Sequence, residues 1–312
     1  LMEYKMIFYS IGDWGANVTR VNSAKYVANA MSNYYLYLNP LPSFVISLGD
    51  NFYENGVSGI NDELWESAWF SVFIRPFPSM HRVRWYSVLG NHDYYGGKKS
   101  VDSQIEMTKY SQNWMMPDKN FFSYDKESSS YHIFIDTVKI YPELYEKTKT
   151  MYTNRDIHNS LLILEKMLID AKRLKCKWIF VYGHYHLFSN GYYGNYNVMI
   201  QRILPLMKKY KVAVYFSGHD HNFQLLKYDG MYFCVNGAGA YKAQLNQHNS
   251  NIEVSMIYGN TNNGFLIHKL NDTYLSLQFV NINNIAEFDY LITSPNAYNT
   301  PPPGTENLDQ LD

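Results

Sequence analysis

The chain has 312 residues, of which 46% are hydrophobic and 18% charged, the composition of a globular domain with a full core. A net charge of −1 leaves no overall electrostatic footprint for nucleic acid or an anionic membrane. No apolar run approaches the ~20 residues of a membrane-spanning helix, and Cys176 and Cys234 form neither a disulfide framework nor a zinc signature.

In chain order, the apolar run "MIFYSIGD" (6–13) predicts a strand, followed by a helix over about 20–36 and a strand "FVISLGD" (44–50). A helix carrying the Trp65/Trp69 pair comes next, then strand-like runs "RWYSVLGNHD" (84–93) and "SYHIFID" (130–136). "NSLLILEKMLIDAKRL" (159–174) reads as a strong helix with Asn159 as its cap. Strand "KWIFVYGH" (177–184), a helix through about 197–210 and strand "VAVYFSGHDH" (212–221) complete the alternation. That order implies βαβ units and covered sheets.

Beyond 221 the texture shifts to short β runs, with hairpin signals at Asp229-Gly230 and Asn271-Asp272. The fold class is therefore α/β (α+β mixed), its second half mostly antiparallel. Residues 1–285 are read as the domain, and 286–312, Pro-rich then acidic, as a tail or linker. The chain opens without a charged-then-apolar leader and is expected to be a mature or trimmed piece of something longer. The two cysteines, in or beside strand-like runs, fit buried thiols or one bridge equally well. Glycosylation triplets occur at Asn17-Val18-Thr19 and Asn271-Asp272-Thr273.

Chemistry is concentrated where apolar strands stop. Five of them end in a glycine followed by a metal-capable side chain: Gly12-Asp13, Gly49-Asp50, Gly90-Asn91-His92, Gly183-His184 and Gly218-His219-Asp220-His221. In an open α/β sheet the crevice lies beyond the carboxyl ends of the strands, so these ends are expected to converge. Asp13, Asp50 and Tyr53 are hard oxygen donors suited to a trivalent or hard divalent ion; Asn91, His184 and His219 suit zinc or ferrous iron. His219 and His221, two residues apart, could serve neighbouring cations, with Asp50 shared between them. With 30 tyrosines in the chain, only one at a special spacing carries chemical meaning. Tyr53, one turn after Asp50, is such a residue, and its phenol needs a strong Lewis acid to ionise. His81, His132, His158, His248 and His268 lie in no motif and read as structural or surface residues.

The motif set GD…GD…GNHD…GH…GHxH resembles the calcineurin-like metallophosphoesterases, and "GDWG", "GDNFYENGV", "GNHD", "GHYH" and "GHDHN" resemble their purple acid phosphatase branch. The resemblance implies an αββα fold, a two-sheet β-sandwich flanked by helices. It implies a ferric site from Asp13, Asp50, Tyr53 and His221, and an Fe(II) or Zn(II) site, other divalent metals being admissible, from Asp50, Asn91, His184 and His219. His92 would stand beside the phosphate as an acid. Asp220 reads as a supporting residue. In the small acid phosphatases a proline and a second histidine normally follow the fourth motif; here those positions hold His186 and Tyr193. His186 is the candidate substitute acid, and weak phosphomonoesterase activity is expected, a fully active phosphatase being the alternative. Gly15, where nucleases and phosphodiesterases of the family carry histidine, and the near-neutral charge disfavour those activities.

The Tyr/Asn-rich texture and "FYSIGDWGANVTRVNSAKYVANAM" also resemble the glideosome-associated, acid-phosphatase-like members found in malaria parasites. That resemblance implies a secretory-pathway luminal domain of the inner membrane complex, joined to a C-terminal membrane anchor and holding glideosome proteins and a myosin motor.

Overall fold

Strands and helices assemble into two seven-stranded sheets packed face to face. The computed structural model describes residues 3–16, 22–246 and 254–297. The chain first lays down β1 (Met6–Ile11), β2 (Phe44–Ser47), β3 (Arg84–Ser87) and the short β4 (Trp114–Met115) as parallel neighbours. It crosses to the second sheet for β5 (Phe121–Asp125), β6 (Ser130–Phe134), β7 (Trp178–Tyr182), β8 (Val214–Ser217), β9 (Phe223–Tyr228), β10 (Met231–Asn236) and β11 (Ser255–Asn260). Strands β12 (Gly264–Leu270), β13 (Tyr274–Asn281) and β14 (Ala286–Thr293) return to complete the first. The orders are β14-β13-β12-β1-β2-β3-β4 and β11-β9-β10-β8-β7-β6-β5. Each sheet is parallel at its centre and antiparallel where hairpins extend it.

Helices cover the sandwich: α1 (Ser23–Tyr35), α2 (Asn91–Tyr95), α3 (Gly97–Met107), the single turn α4 (Thr137–Ile140), α5 (Asn154–Arg173) and α6 (Asn197–Lys209). Every residue of β1, β2, β6, β7 and β8 is buried, as expected of strands covered on both faces. Between the sheets Phe8 stacks on His268 with ring centres 4.2 Å apart and meets His132 edge-on at 5.2 Å. Both histidines are buried. His81 is hydrogen-bonded near the surface, and His248 lies outside the described residues, as does the Asn17 triplet.

Several elements depart from the sequence reading. The helix expected to be capped by Asn159 starts six residues earlier. Thr153 caps it, its N–H donating to Asp156 Oδ2 (2.9 Å) while Asp156 N–H donates to Thr153 Oγ1 (3.3 Å). This is a capping box, with aspartate in the place usually searched for glutamate. The segment around Trp65 and Trp69 is π-helical over Trp65–Ile74. Its wide turns let both indoles join Trp85, Trp114 and Phe52 edge to face. Residues 286–293, assigned to the tail, form the edge strand β14, where Phe288 stacks on Tyr258 of β11 at 4.3 Å. Alternating polar residues there hid a half-buried strand. Cys176 and Cys234 are buried free thiols, their pKa values raised by burial. The hairpin signals stand where expected: Asp229 and Gly230 adopt φ of 48° and 78°, and Asn271 Oδ1 accepts from Thr273 N–H and Tyr274 N–H. Among the described residues, no helix is long and apolar enough to cross a membrane.

Candidate metal centre

The carboxyl ends of β1, β2 and β3 from one sheet and of β7 and β8 from the other open onto one crevice. Backbone geometry explains why the apolar runs stop there. Asp13, Asp50 and His219 adopt left-handed φ angles of 57°, 51° and 71°, which end the strand and turn each side chain into the crevice. Such conformations cost about 1–3 kcal/mol each for non-glycine residues and gather at functional sites. Asn91 and His92 stand one step beyond their strand, in the first turn of α2. Gly90 precedes them because a Cβ there would lie 2.2 Å from Asp50 Oδ1.

Seven of the residues singled out in the sequence meet in two overlapping groups. In the first, Tyr53 Oη lies 3.2 Å from Asp13 Oδ1, 3.0 Å from Asp50 Oδ2 and 3.3 Å from His221 Nε2. His221 Nε2 is in turn 3.4 Å from Asp13 Oδ1. In the second, His184 Nε2 lies 3.1 Å from Asn91 Oδ1, 3.4 Å from Asp50 Oδ2 and 3.2 Å from His219 Nδ1. Asp50 belongs to both, and Asp50, His184 and His219 present three donor atoms within 4.8 Å of one another.

The donor chemistry suits cations. His184 Nδ1 sits 2.8 Å from the carbonyl oxygen of Leu48, which can only accept, so the ring proton is on Nδ1. The Nε2 lone pair therefore faces a carboxylate, an amide oxygen and a second imidazole. In the first group one phenolic O–H faces two carboxylates and an imidazole nitrogen. Converging lone pairs of this kind are stabilised by a metal ion, or failing that by extra protons. The electrostatics of the buried groups carry the same tension. Burial opposes a charge on His184, but Asp50 and Asp13 carry its pKa up to about 9. Burial also opposes ionisation of Asp50, yet His184, His92 and His219 hold its carboxyl well below the usual range. Burial, then Asp50 and Asp13, push the Tyr53 phenol far above its ordinary value.

A surrounding layer fixes these groups. Asp13 Oδ2 accepts from His219 N–H (2.9 Å), and Asp50 Oδ1 from His92 N–H (2.9 Å). Asp93, buried in α2, accepts from Gly90 N–H (2.8 Å), Gln104 Nε2 (2.9 Å) and Asn51 N–H (3.1 Å). Burial and Asp50 raise its carboxyl to about 7 against the pull of those donors. Tyr145 and Tyr196 hydroxyls each lie 3.0 Å from His219 Nε2, and the Tyr241 ring stacks on His221 at 5.1 Å. Asp93 stands within a motif; the three tyrosines stand in none, and no sequence signal separates them from the other tyrosines.

The expected acids are placed differently from one another. His92 leans on Tyr53 and Tyr95 with ring centres 4.3 and 4.8 Å away. Its Nδ1–H donates to the Glu54 carbonyl (2.7 Å), which leaves Nε2 facing away. His186 is buried, its Nε2 2.8 Å from the Gly194 carbonyl and its ring flat on Tyr196 at 4.4 Å. Its ring centre is 5.9 Å from that of His219. Tyr193 stacks over His219 at 4.4 Å. Asp220 accepts from Ser189 Oγ (2.7 Å) and Asn222 Nδ2 (3.0 Å) and braces that loop.

Comparison with known proteins places this arrangement. The calcineurin-like phosphoesterase family pattern matches residues 6–223. Tartrate-resistant acid phosphatase type 5 of Sus scrofa is 28% identical over 301 residues, covering 92% of this chain and 80% of that protein. The Homo sapiens counterpart is 30% identical over 251 residues, covering 77% and 75%. Among solved structures, GAP50, described as the anchor in the inner membrane complex of Plasmodium, superposes with a TM-score of 0.78 at 23% identity, covering 94% of this chain and 90% of that one. Purple acid phosphatase PPD1 from yellow lupin (Lupinus luteus) seeds gives a TM-score of 0.66 at 16% identity, covering 92% and 53%. Motifs, fold and relatives agree, and the chain belongs to the calcineurin-like phosphoesterases, among the homologues of the purple, tartrate-resistant acid phosphatases.

Proposed function

We propose that this chain is a dinuclear metal protein that binds phosphate monoesters and hydrolyses them slowly. The observation that carries this reading is the confrontation of lone pairs around Asp50: two donor sets, one carboxylate common to both. Asp13, Asp50, Tyr53 and His221 would hold Fe(III), whose charge is what a phenol as basic as that of Tyr53 requires. Asp50, Asn91, His184 and His219 would hold Fe(II) or Zn(II). Two cations there supply Lewis acidity, drawing charge from a phosphate oxygen and acidifying a water.

The chain's own residues set the pace. His92, with Nδ1–H fixed on the Glu54 carbonyl, offers Nε2 to a phosphate oxygen or leaving group. A second acid is lacking, since Tyr193 is a phenol and His186 is held by Gly194 beneath Tyr196. General acid assistance is worth about 10²–10⁴-fold. A phosphodiesterase or nuclease reading is disfavoured at Gly15, where any Cβ would lie 1.9 Å from the Asn51 carbonyl oxygen, excluding the histidine those enzymes carry. Hydrolysis of p-nitrophenyl phosphate at acid pH is expected to be measurable, at least about 10²-fold below the acid phosphatases, abolished in Asp50→Ala and raised in Tyr193→His. Activity equal to that of Asp50→Ala would remove the catalytic reading; activity equal to the acid phosphatases would remove the slow one. The iron-loaded protein should absorb in the visible and lose that band in Tyr53→Phe.

A second role is supported by the likeness of nearly the whole chain to GAP50. We infer a scaffold in the lumen of a secretory-derived inner membrane complex, anchoring glideosome proteins and a myosin motor. Tagged protein recovered from its own cells should bring a myosin heavy chain with it. Recovery without any motor subunit would refute this role and leave the metal chemistry untouched.

A further inference from the structure

We propose that Asp136 and Thr137 are positioning residues that fix the distance between Asn91 and His184, and with it the divalent half of the metal centre. The inference rests on the two-cation reading of that centre. Both residues stand at the end of β6, a strand that supplies none of the candidate donors. Strand β6 lies between β5 and β7, and like β7 it is buried along its whole length. It runs into Asp136-Thr137 where β7 runs into Gly183-His184. The two ends stay in step, the Ile135 N–H donating to the Tyr182 carbonyl (2.9 Å).

Thr137 acts within its own sheet. Its Oγ1 accepts from the N–H groups of both His184 (3.1 Å) and Tyr185 (2.9 Å). All three residues are buried, so without that oxygen the two N–H groups would lose a partner where no water replaces it. The Thr137 methyl fills the other side of the turn: a Cβ on Gly183 would lie 2.5 Å from Thr137 Cγ2. Hydroxyl and methyl together hold the backbone from which the His184 ring reaches Asn91 and Asp50.

Asp136 reaches across the crevice. Its Oδ1 accepts from Lys139 N–H (3.1 Å) in α4, and its Oδ2 accepts from the Tyr94 hydroxyl. Tyr94 belongs to α2, the five-residue helix that carries Asn91 and His92 on from β3. Asn91 Nδ2 donates to Tyr95 Oη (2.9 Å), which leaves Oδ1 facing His184 Nε2. Asn91 follows a strand of one sheet and His184 a strand of the other, so their 3.1 Å approach depends on how the two strand ends are held together. Asp136 and Thr137, adjacent in sequence and tied one to each side, set that span. Tyr94 Oη also lies 2.9 Å from Tyr152 Oη, which accepts from Lys119 Nζ (2.7 Å). Two phenols thus join the buried Asp136 carboxylate to a half-buried ammonium, the partnering that a buried charge requires.

Chelator competition for Zn(II) in the full chain loaded with ferric iron tests this, with the visible tyrosinate band as a second readout. Thr137→Val keeps the side-chain shape and removes the oxygen. It should weaken Zn(II) binding roughly 10–100-fold, as loss of an outer partner of a metal ligand does, and leave the tyrosinate band in place. Thr137→Ser keeps the oxygen and should restore most of that affinity. Tyr94→Phe keeps the ring and should cost about tenfold or more from the Asn91 side; it decides alone if Thr137→Val does not fold. Unchanged Zn(II) affinity in the variants, with wild type binding both metals, would overturn the proposal. So would parallel loss of zinc and of the tyrosinate band, which reports general loosening, or failure of serine to restore binding. A wild type that takes up neither metal would remove the two-cation reading together with this inference, a result distinct from the first.

Discussion

At the scale of single residues most of the candidate metal donors were legible because a glycine at a strand end precedes them, while Tyr53 and His221 were found by their spacing from Asp50 and His219. What surrounds them was not. Tyr145 and Tyr196 reach His219 from a loop and from the start of α6, and in a chain with 30 tyrosines nothing in their neighbours distinguishes them. His186 shows the opposite failure: its place in a motif suggested an acid, while the Gly194 carbonyl and Tyr196 ring tie it inside. Two outcomes follow at this scale. Gly90→Ala should weaken metal binding by about tenfold or more, because a Cβ 2.2 Å from Asp50 Oδ1 must displace the shared carboxylate, a disturbance worth at least 1.4 kcal/mol. Gly59→Ala, with nothing within 4 Å, should be silent; equal affinities measured by chelator competition would show that Asp50 is not shared. Tyr145→Phe and Tyr196→Phe each leave one hydroxyl on His219 Nε2, so either alone should cost little. The double variant should lose roughly 10–100-fold in divalent affinity, as when outer partners of a ligand histidine are removed, while the tyrosinate band stays. Additive single effects would show that the two hydroxyls do not substitute for one another.

At the scale of elements, the parallel strands read clearly because residues buried on both faces form uninterrupted apolar runs. Boundaries read less well wherever side-chain hydrogen bonding, not hydrophobic periodicity, sets them. The start of α5 is the clearest case. Asn159 stands directly before an apolar run, yet Thr153 and Asp156 exchange hydrogen bonds six residues earlier and extend the helix through polar positions. Thr153→Ala is therefore expected to destabilise the fold by about 1 kcal/mol. Asn159→Ala, an exposed interior position, should be neutral or slightly stabilising. Urea midpoints of the two variants decide between the caps, and the reverse order would return the helix start to Asn159. Strand β14 escaped for a related reason: with only one side half covered, its alternation of Glu287, Asp289 and Thr293 with aromatics resembles a polar linker until Phe288 and Tyr258 are seen to stack.

At the scale of the whole molecule, closing two sheets over one core buries two imidazoles that the sequence presents as ordinary histidines. His132 has both nitrogens bonded, to Ser130 and Tyr182 hydroxyls at 2.9 Å each, and His268 holds Ser10 Oγ at 2.8 Å. Burial pushes the pKa of His132 down to about 3 against the opposing pull of Asp125, and burial, with His132 nearby, pushes that of His268 well below its ordinary value. In the unfolded chain both would bind a proton near pH 6.5. The folded state refuses that proton, so the unfolded state binds more of them below pH 6.5. The stability due to each neutral ring is thus complete above that pH and is lost as pH falls toward about 3, with a limiting slope of ~1.4 kcal/mol per pH unit per histidine. The groups of the candidate metal centre titrate as well, so the test is a difference: urea unfolding of chelator-treated wild type and His268→Phe between pH 7 and pH 4.5. Phenylalanine can keep the stack on Phe8 while losing the bond to Ser10, so the variant starts less stable at pH 7. Its stability should then fall less steeply by one proton, and the two curves should converge as the solution is acidified. Parallel curves would mean that His268 takes up its proton inside the fold, contrary to a dry interface between the sheets.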